Sequence, residues 1–419
     1  MLTTEAQIVR VHRPRPSTSR LPRPQRSSPY GALFMILKIT ERCNLACPYC
    51  YMFFMGDESY REHPPLMSTD TLAGLVGWLQ EAVHTQGLRS LHIGLHGGEP
   101  LLMNKKAFRQ LCAALREGLA GRCRLQLSMQ TNGVLIDEAW IEIFSQYDIG
   151  IGMSMDGDES LHNLTRVTRS GRGTYRESRR GWELLQQAAA QGRLQKPGIL
   201  CVVSPGQPAG RIYQHFAQEL RASSVNFLLP DFNHDSPEVS PALVQACGDY
   251  MLEVCRAWFA GQHRPRVRFI RHVVNSLLDD ESCQRLAANQ YNPFELITVS
   301  SNGDISPDDA IRVLAPRFRE TGHTVQESTM SALMDSDAWL EIYASQGQLP
   351  AACTGCLWQR LCRGGAPQHR FSAARGFDNP SIYCEALKRI YAFIASMLVQ
   401  GGVSAEAIEH RLTGPLPTT

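Results

Sequence analysis

From Leu33 onward the chain alternates between two hydrophobic rhythms. LFMILKI (33–39) is a short apolar run of the kind a buried strand shows, and residues 69–86 then carry apolar positions at helical spacing. The exchange repeats. SLHIGLHG (90–97) reads as a strand before a helix over 104–119, and LQLSMQT (125–131) before a short helix over 137–146. IGIGMSMD (149–156) precedes a helix over 174–192, PGILCVVS (197–204) precedes one over 208–221, and VNFLLP (225–230) closes the series. Strands separated by helical crossovers predict a parallel sheet wrapped by helices. Six such units fill about 200 residues, short of the eight in a complete β/α barrel. The expected fold class is therefore α/β: a partial TIM-like (β/α)6 barrel over residues 31–235.

After residue 235 the texture changes. PALVQACGDYMLEVCRAWF and its surroundings predict a helical bridge over 236–295. SSNGD (300–304) reads as a turn between short strands, and 351–385 is rich in Cys and Gly. Residues 296–400 are thus expected to form a small Cys-rich α+β domain. The stretch 380–411 reads as one helix with a frayed end, and 401–419 as a C-terminal tail. Residues 1–30, with RVHRPRPSTSRLPRPQRSSP, are too rich in Pro and Arg and too poor in large apolar groups to fold alone; a disordered basic tail is expected.

Composition narrows the function classes. Of 419 residues, 43 % are apolar, enough for a sizeable core, and the net charge of only +2 argues against a general nucleic-acid binder. No apolar run reaches the roughly 18 residues a membrane helix needs, and MLTTEAQIVR lacks the apolar core of a secretion signal. The expected location is the cytoplasm, where thirteen cysteines point to metal rather than to disulfides. Seven of the thirteen fall into two groups, 43/47/50 and 353/356/362/384.

The first group lies in ITERCNLACPYCYMFF, directly after the first strand. Loops at the carboxyl ends of barrel strands carry active sites. Three thiolates there can hold three irons of a cubane and leave the fourth open for chemistry; alone, the spacing fits a structural zinc site or chance equally well. Further polar and glycine motifs stand at strand ends in order: Gly97–Gly98–Glu99–Pro100, Gln130–Thr131–Asn132–Gly133, Ser154 and Asp156, then Arg166 and Val202. His63 and His96 are possible acid–base groups, although a lone His at a strand end more often packs or hydrogen-bonds.

CX3CXΦC, with Tyr49 as Φ, resembles the signature of the radical S-adenosylmethionine (SAM) superfamily, and the strand-end motifs fall in that family's order. The resemblance implies a 4Fe–4S cluster on Cys43, Cys47 and Cys50 whose open iron is chelated by SAM, with a 5′-deoxyadenosyl radical as hydrogen abstractor. It implies SAM contacts from Tyr49 and Val202 beside the adenine, Gly97, Gly98 and Glu99 by the methionyl amine, Ser154 and Asp156 at the ribose, Arg166 near the carboxylate, and Gln130 and Asn132 from the third strand.

The second group, in CTGCLWQRLCRGGAPQHRF plus Cys384, can complete a second 4Fe–4S cluster; a zinc ribbon is the alternative. Behind such a barrel, Cys353, Cys356, Cys362 and Cys384 resemble the SPASM domain. A full SPASM domain carries two auxiliary clusters. Here Asp308 and Ala366 stand where ligands of the other one belong, and Cys283 alone cannot replace them, so one auxiliary cluster is expected. Asp309 follows the lost ligand and matches a proposed general base of sulfatase-maturing relatives; turn capping is its plainer role. Cys112, Cys123, Cys201, Cys247 and Cys255 are expected in the core.

These resemblances imply an oxidoreductase acting on a short precursor peptide. The altered SPASM resembles maturases that join aromatic rings to aliphatic β-carbons, giving cyclophanes; the alternative is an anaerobic sulfatase maturase that makes formylglycine. An iron–sulfur regulatory or electron-transfer protein is a third reading. An electron donor such as flavodoxin or ferredoxin is implied; nucleic-acid and membrane partners are not.

Overall fold

Along each barrel strand the two faces differ in kind. Met35, Leu37 and Ile39, then Leu91, Ile93 and Leu95, then Leu127 and Met129 are buried in one continuous apolar core with the helices. The alternate positions, among them Ile36, Lys38, Gly94, Ser128, Gln130, Gly152 and Ser154, fall on the opposite, inner face, because successive side chains of a strand point to opposite sides. The computed structural model describes residues 31–55, 57–279, 282 and 293–414. The basic tail 1–30 and Cys283 lie outside them.

The strands are β1 (Ala32–Thr40), β2 (Ser90–Gly97), β3 (Arg124–Thr131), β4 (Ile149–Ser154), β5 (Gly198–Val202) and β6 (Ser224–Leu228), with a short β7 (Arg266–Val267). They lie side by side in chain order and all parallel. The helices between them are α1 (Tyr51–Phe54) and α2 (Thr69–Gln86), α3 (Lys105–Leu119), α4 (Glu138–Gln146), α5 (Glu159–Thr165) and α6 (Tyr175–Ala190), and α7 (Ala209–Gln214). Caps fix their starts: the side chains of Ser68, Asn104 and Asp137 accept from Thr71, Ala107 and Trp140 amides at 3.0, 2.9 and 2.9 Å. Each such cap is worth about 1 kcal/mol. The helix expected over 208–221 widens into a π turn at His215–Glu219, where His215 meets the Tyr175 hydroxyl at 2.9 Å.

The bridge region forms α8 (Pro241–Ala260) and α9 (Arg268–Leu278), with β7 between them. β8 (Leu296–Val299) then joins the barrel sheet on the far side of β1, parallel to it, and turns through Ser300–Gly303 into antiparallel β9 (Asp304–Ser306) and β10 (His323–Thr324). The C-terminal cysteine segment thus begins as an extension of the barrel's own sheet, which runs β10-β9-β8-β1 to β7 among the described residues. The helix Cys384–Gln400 packs along α8. The single helix expected over 380–411 is broken: Gly402 takes φ +96°, and Ser404 caps a new helix, Ala405–Thr413.

Candidate active site

The loop that follows β1 is held from below by its neighbours' backbones. Gly98 and Glu99 amides donate to the carbonyls of Thr40 and Arg42 at 3.0 and 2.8 Å, and the Ala46 amide donates to the Val167 carbonyl at 2.8 Å. A Cβ on Gly98 would stand 2.2 Å from the Arg42 oxygen, and Gly97 has φ +129° with its Cβ direction 2.1 Å from the Thr40 oxygen. The Gly-Gly pair is therefore required for contact between the β2 loop and the cysteine loop. Glu99 is buried and joins the ends of β2 and β3: it accepts from the Leu101 amide (3.1 Å), the Thr131 hydroxyl (2.7 Å) and the Asn132 amide (2.8 Å). Asn132 in turn donates to the Asn44 side chain at 2.8 Å, beside Cys43.

Cys43, Cys47 and Cys50 stand half-buried along this loop. Burial pushes the Cys43 thiol up to about 12, with Glu99 adding to the shift. Burial likewise raises Cys47 to about 11, against the pull of Arg166. A metal that binds them must displace these protons, so the donor set suits a strongly thiophilic cationic centre.

Above the loop, Tyr49, Asp156 and Arg166 converge. The Tyr49 hydroxyl donates to Asp156 Oδ2 at 2.5 Å, Thr165 donates to the same oxygen at 2.8 Å, and Arg166 Nε lies 3.1 Å from Oδ1. The Arg166 guanidinium also stands 5.7 Å from the Tyr49 ring centroid. Asp156, expected to meet ribose hydroxyls, is thus also the residue that fixes Tyr49 and Arg166. Gln130 reaches across the sheet to Ser154 at 2.8 Å, and Val202 ends β5 on the same inner face as Leu200.

Asp309 sits at the barrel mouth, but not free. Its carboxylate pairs with Lys38 Nζ at 2.8 Å and accepts the Tyr51 hydroxyl; Lys38, at 0 % exposure, is one of the most buried residues. Burial alone would raise this carboxyl, but Lys38 and Arg312 outweigh it and hold it at about 2. As a proton acceptor it is weak in this arrangement. Asp308 caps the short helix Asp309–Arg312, accepting from the Ala310 amide at 3.1 Å. Arg312 continues the network to buried Asp57 at 2.8 Å, tying the C-terminal segment to the barrel mouth. His63 lies 3.4 Å from Glu41, while His96 keeps Nδ1 buried without a partner.

The second cysteine group lines one small cavity of about 20 Å³, with Trp358, Lys388 and Tyr391 among its other walls. Cys384 opens the helix Cys384–Gln400, and burial pushes its thiol up. Cys362 ends a helical turn, and Arg363, Gly364 and Gly365 follow in left-handed conformation (φ 50°, 86° and 87°), which folds the chain back over it. Four thiols around one cavity fit a cluster. Ala366 caps the next short helix with an aliphatic side chain that offers no ligand. Cys112, Cys201, Cys247 and Cys255 are buried in the core, and Cys123 is half-buried. Among the described residues, no three His, Cys, Asp or Glu side chains converge to hold a single metal ion, and no helix is long and apolar enough to cross a membrane.

Residue-pattern reasoning missed Lys38, Tyr51, Asn44 and Thr165. Lys38 did leave a signal, as the lone charge within an otherwise apolar strand.

Residues 37–192 match the Radical SAM superfamily. The match spans most of the barrel, and with it the protein is an enzyme whose cofactors are a 4Fe–4S cluster and SAM. Over 372 residues the chain is 24 % identical to a cysteine-type anaerobic sulfatase-maturating enzyme of Clostridium perfringens, covering 87 % of this chain and 96 % of that one. The structure of anSMEcpe with bound AdoMet and Cp18Cys peptide superposes with a TM-score of 0.73 at 24 % identity, covering 89 % of this chain and 99 % of the other. SuiB of Streptococcus suis bound to precursor peptide SuiA superposes at 0.53 and 16 % identity, over 81 % and 72 %. The shared architecture is that of an α/β radical SAM fold.

Proposed function

We propose that this enzyme oxidises a peptide side chain at the barrel mouth, as a maturase of a ribosomally made precursor that installs a crosslink, most specifically a side-chain carbon–carbon (cyclophane) bond. The observation that carries the reading is the presence of two grouped-cysteine sites in one chain: the loop site at the end of β1, and the four-cysteine cavity of a segment whose first strand, β8, extends the barrel sheet. The peptides bound to anSMEcpe and SuiB support a peptide as the substrate class. When bound, the first cluster and SAM supply a radical able to take hydrogen from an unactivated C–H bond, which no side chain can do.

The chain's own residues bind and orient. Tyr49, Val202 and Arg166 would flank SAM, with Ser154 and Asp156 toward its ribose, Gln130 and Asn132 bracing the third-strand edge, and Gly97, Gly98 and Glu99 at the methionyl end. Cys353, Cys356, Cys362 and Cys384 would hold one auxiliary cluster. Asp308 and Ala366 leave a second one short of ligands. Asp309, expected as a base, is better suited to fix Lys38 and Tyr51 beside Cys50.

A second reading, an anaerobic sulfatase maturase making formylglycine, is favoured by the similarity along most of the chain to the C. perfringens enzyme. The test is co-expression with each small neighbouring open reading frame, and separately with a sulfatase segment, followed by tandem mass spectrometry. A precursor lighter by two hydrogens and resistant to fragmentation between two residues supports the crosslink; an aldehyde in place of a Cys or Ser side chain supports the alternative.

A further inference from the structure

Either chemistry above leaves the same debt after the first hydrogen atom is gone: the substrate must lose one proton and one electron to reach a closed-shell product. Asp309 is poorly placed to take that proton, since Lys38 already occupies its carboxylate. Another carboxylate stands close by. Asp231 follows β6, and its electrostatic neighbours are Asp308, Asp309 and Tyr383. Gln368 donates to Asp231 Oδ1 at 3.3 Å. His369 Nε2 lies 3.9 Å from the same oxygen.

The His369 ring is the decisive feature. It is 7 % exposed, packs edge-on against Tyr383 at 4.8 Å, and hydrogen-bonds the Pro230 carbonyl. Assigning the ring proton to Nδ1, as donor to that carbonyl, makes Nε2 a bare acceptor, and Nε2 has no partner. Burial holds the ring neutral, down to about 4. A buried acceptor aimed at a carboxylate oxygen lacks one thing, a proton between them. Burial and the two neighbouring aspartates push the Asp231 carboxyl up to about 7, while 28 % of its side chain stays open. That opening is also what a substrate needs to reach it.

We propose that Asp231 and His369 form a proton-accepting pair at the barrel mouth that takes the proton a peptide substrate loses in its oxidation. This rests on the reading that a peptide side chain is oxidised there, and it holds for both the crosslink and the formylglycine reactions. The substrate X–H bond breaks and its electron pair stays with the substrate. An O–H bond forms on Asp231, and the new hydroxyl donates to His369 Nε2. The remaining electron leaves to a one-electron acceptor of the iron–sulfur class. Gln368 positions the carboxylate, and Asp309 positions Lys38 and Tyr51.

The test uses the reconstituted full chain, first without peptide. Infrared titration should find a protonated carboxyl band that disappears as pH rises through neutrality, is missing from Asp231→Asn, and moves in His369→Phe. With a peptide that the wild type modifies, the ratio of modified peptide to 5′-deoxyadenosine should rise with pH through the same range. In Asp231→Asn that ratio should fall by about 10²–10⁴-fold and lose this pH dependence, with part restored by Asp231→Glu and iron content kept. A ratio that falls in Asp309→Asn but holds in Asp231→Asn overturns the proposal, as does absence of the infrared band. If the wild type modifies no peptide, the peptide reading fails separately, and the infrared titration still decides whether the pair exists.

Discussion

Cys43, Cys47 and Cys50 share eight residues of one loop, whereas Cys353, Cys356, Cys362 and Cys384 come from a turn, a short helix and the first residue of a long one. The first site has its cysteines in sequence but borrows its shape. Gly97 and Gly98, Glu99, Asn132 and the segment after Arg166 all press on the loop from other strands. The second site has its cysteines scattered but walls its own cavity, with Tyr391 and Lys388 supplied by the same helix as Cys384. A loop site is thus hostage to the barrel, and a cavity site to the C-terminal segment that walls it. The two meet through Lys38–Asp309 and Asp57–Arg312, where a barrel strand and the loop above it grip the C-terminal segment.

Removing either set of ligands should separate the sites most sharply. The wild type should carry about eight irons per chain after anaerobic reconstitution. Cys43→Ala with Cys47→Ala and Cys50→Ala should leave about four and abolish release of 5′-deoxyadenosine. Iron near twelve in the wild type would mean that a second auxiliary cluster is present after all.

Gly98→Ala probes the borrowed shape. Its methyl would meet the Arg42 oxygen at 2.2 Å, so the loop must move. Electron paramagnetic resonance should show the loop-site signal lost or altered while the signal from the four-cysteine site persists. Equal loss of both would mean that the sites do not fold independently.

The link between the regions is tested by Arg312→Ala, which leaves buried Asp57 with the Ser59 amide at 2.9 Å and a more distant cation, Arg319, at 3.7 Å. Breaking a buried pair costs about 3–5 kcal/mol, which thermal or denaturant unfolding should report. A drop below 1 kcal/mol would show that the contact is incidental.

Asp309 gives the smallest effect. Its folded carboxyl sits at about 2 against 3.8 ordinarily, so its pairing stabilises the fold above about pH 4 and that stability is lost as pH falls through 2. The contribution is about 2 kcal/mol. Asp309→Asn should be less stable than the wild type at pH 7, and the gap should narrow between pH 4 and 2. An unchanged gap across that range means that the Lys38 pair adds nothing.

Asp156→Ala sharpens the loop site further. It removes the partner of Tyr49, Thr165 and Arg166 at once, so weaker SAM binding would follow from lost positioning as well as from a lost ribose acceptor. Tyr49→Phe, which spares the carboxylate, separates the two by equilibrium binding.

Much was legible in the sequence because it is local. The period of apolar residues located the six strands and their helices to within a few residues; α2 and β2 fall on the expected ranges, since Ser68 and Gly87 mark the ends of α2 as cap and left-handed stop. Cysteine spacing exposed both candidate sites, because ligands of a loop or a turn must be close in the chain. What the tertiary structure decided is whatever depends on distant partners. That β8 would extend the sheet beside β1 is a pairing across some 260 residues, with no local signal. Asp309 read as a free base because sequence shows a carboxylate but not the lysine that folding brings to it. Asp231 carried no motif, and His369 stood at the end of the cysteine string with no role assigned to it. They became a candidate pair only when the loop after β6 met the C-terminal segment, where burial set the protonation of each.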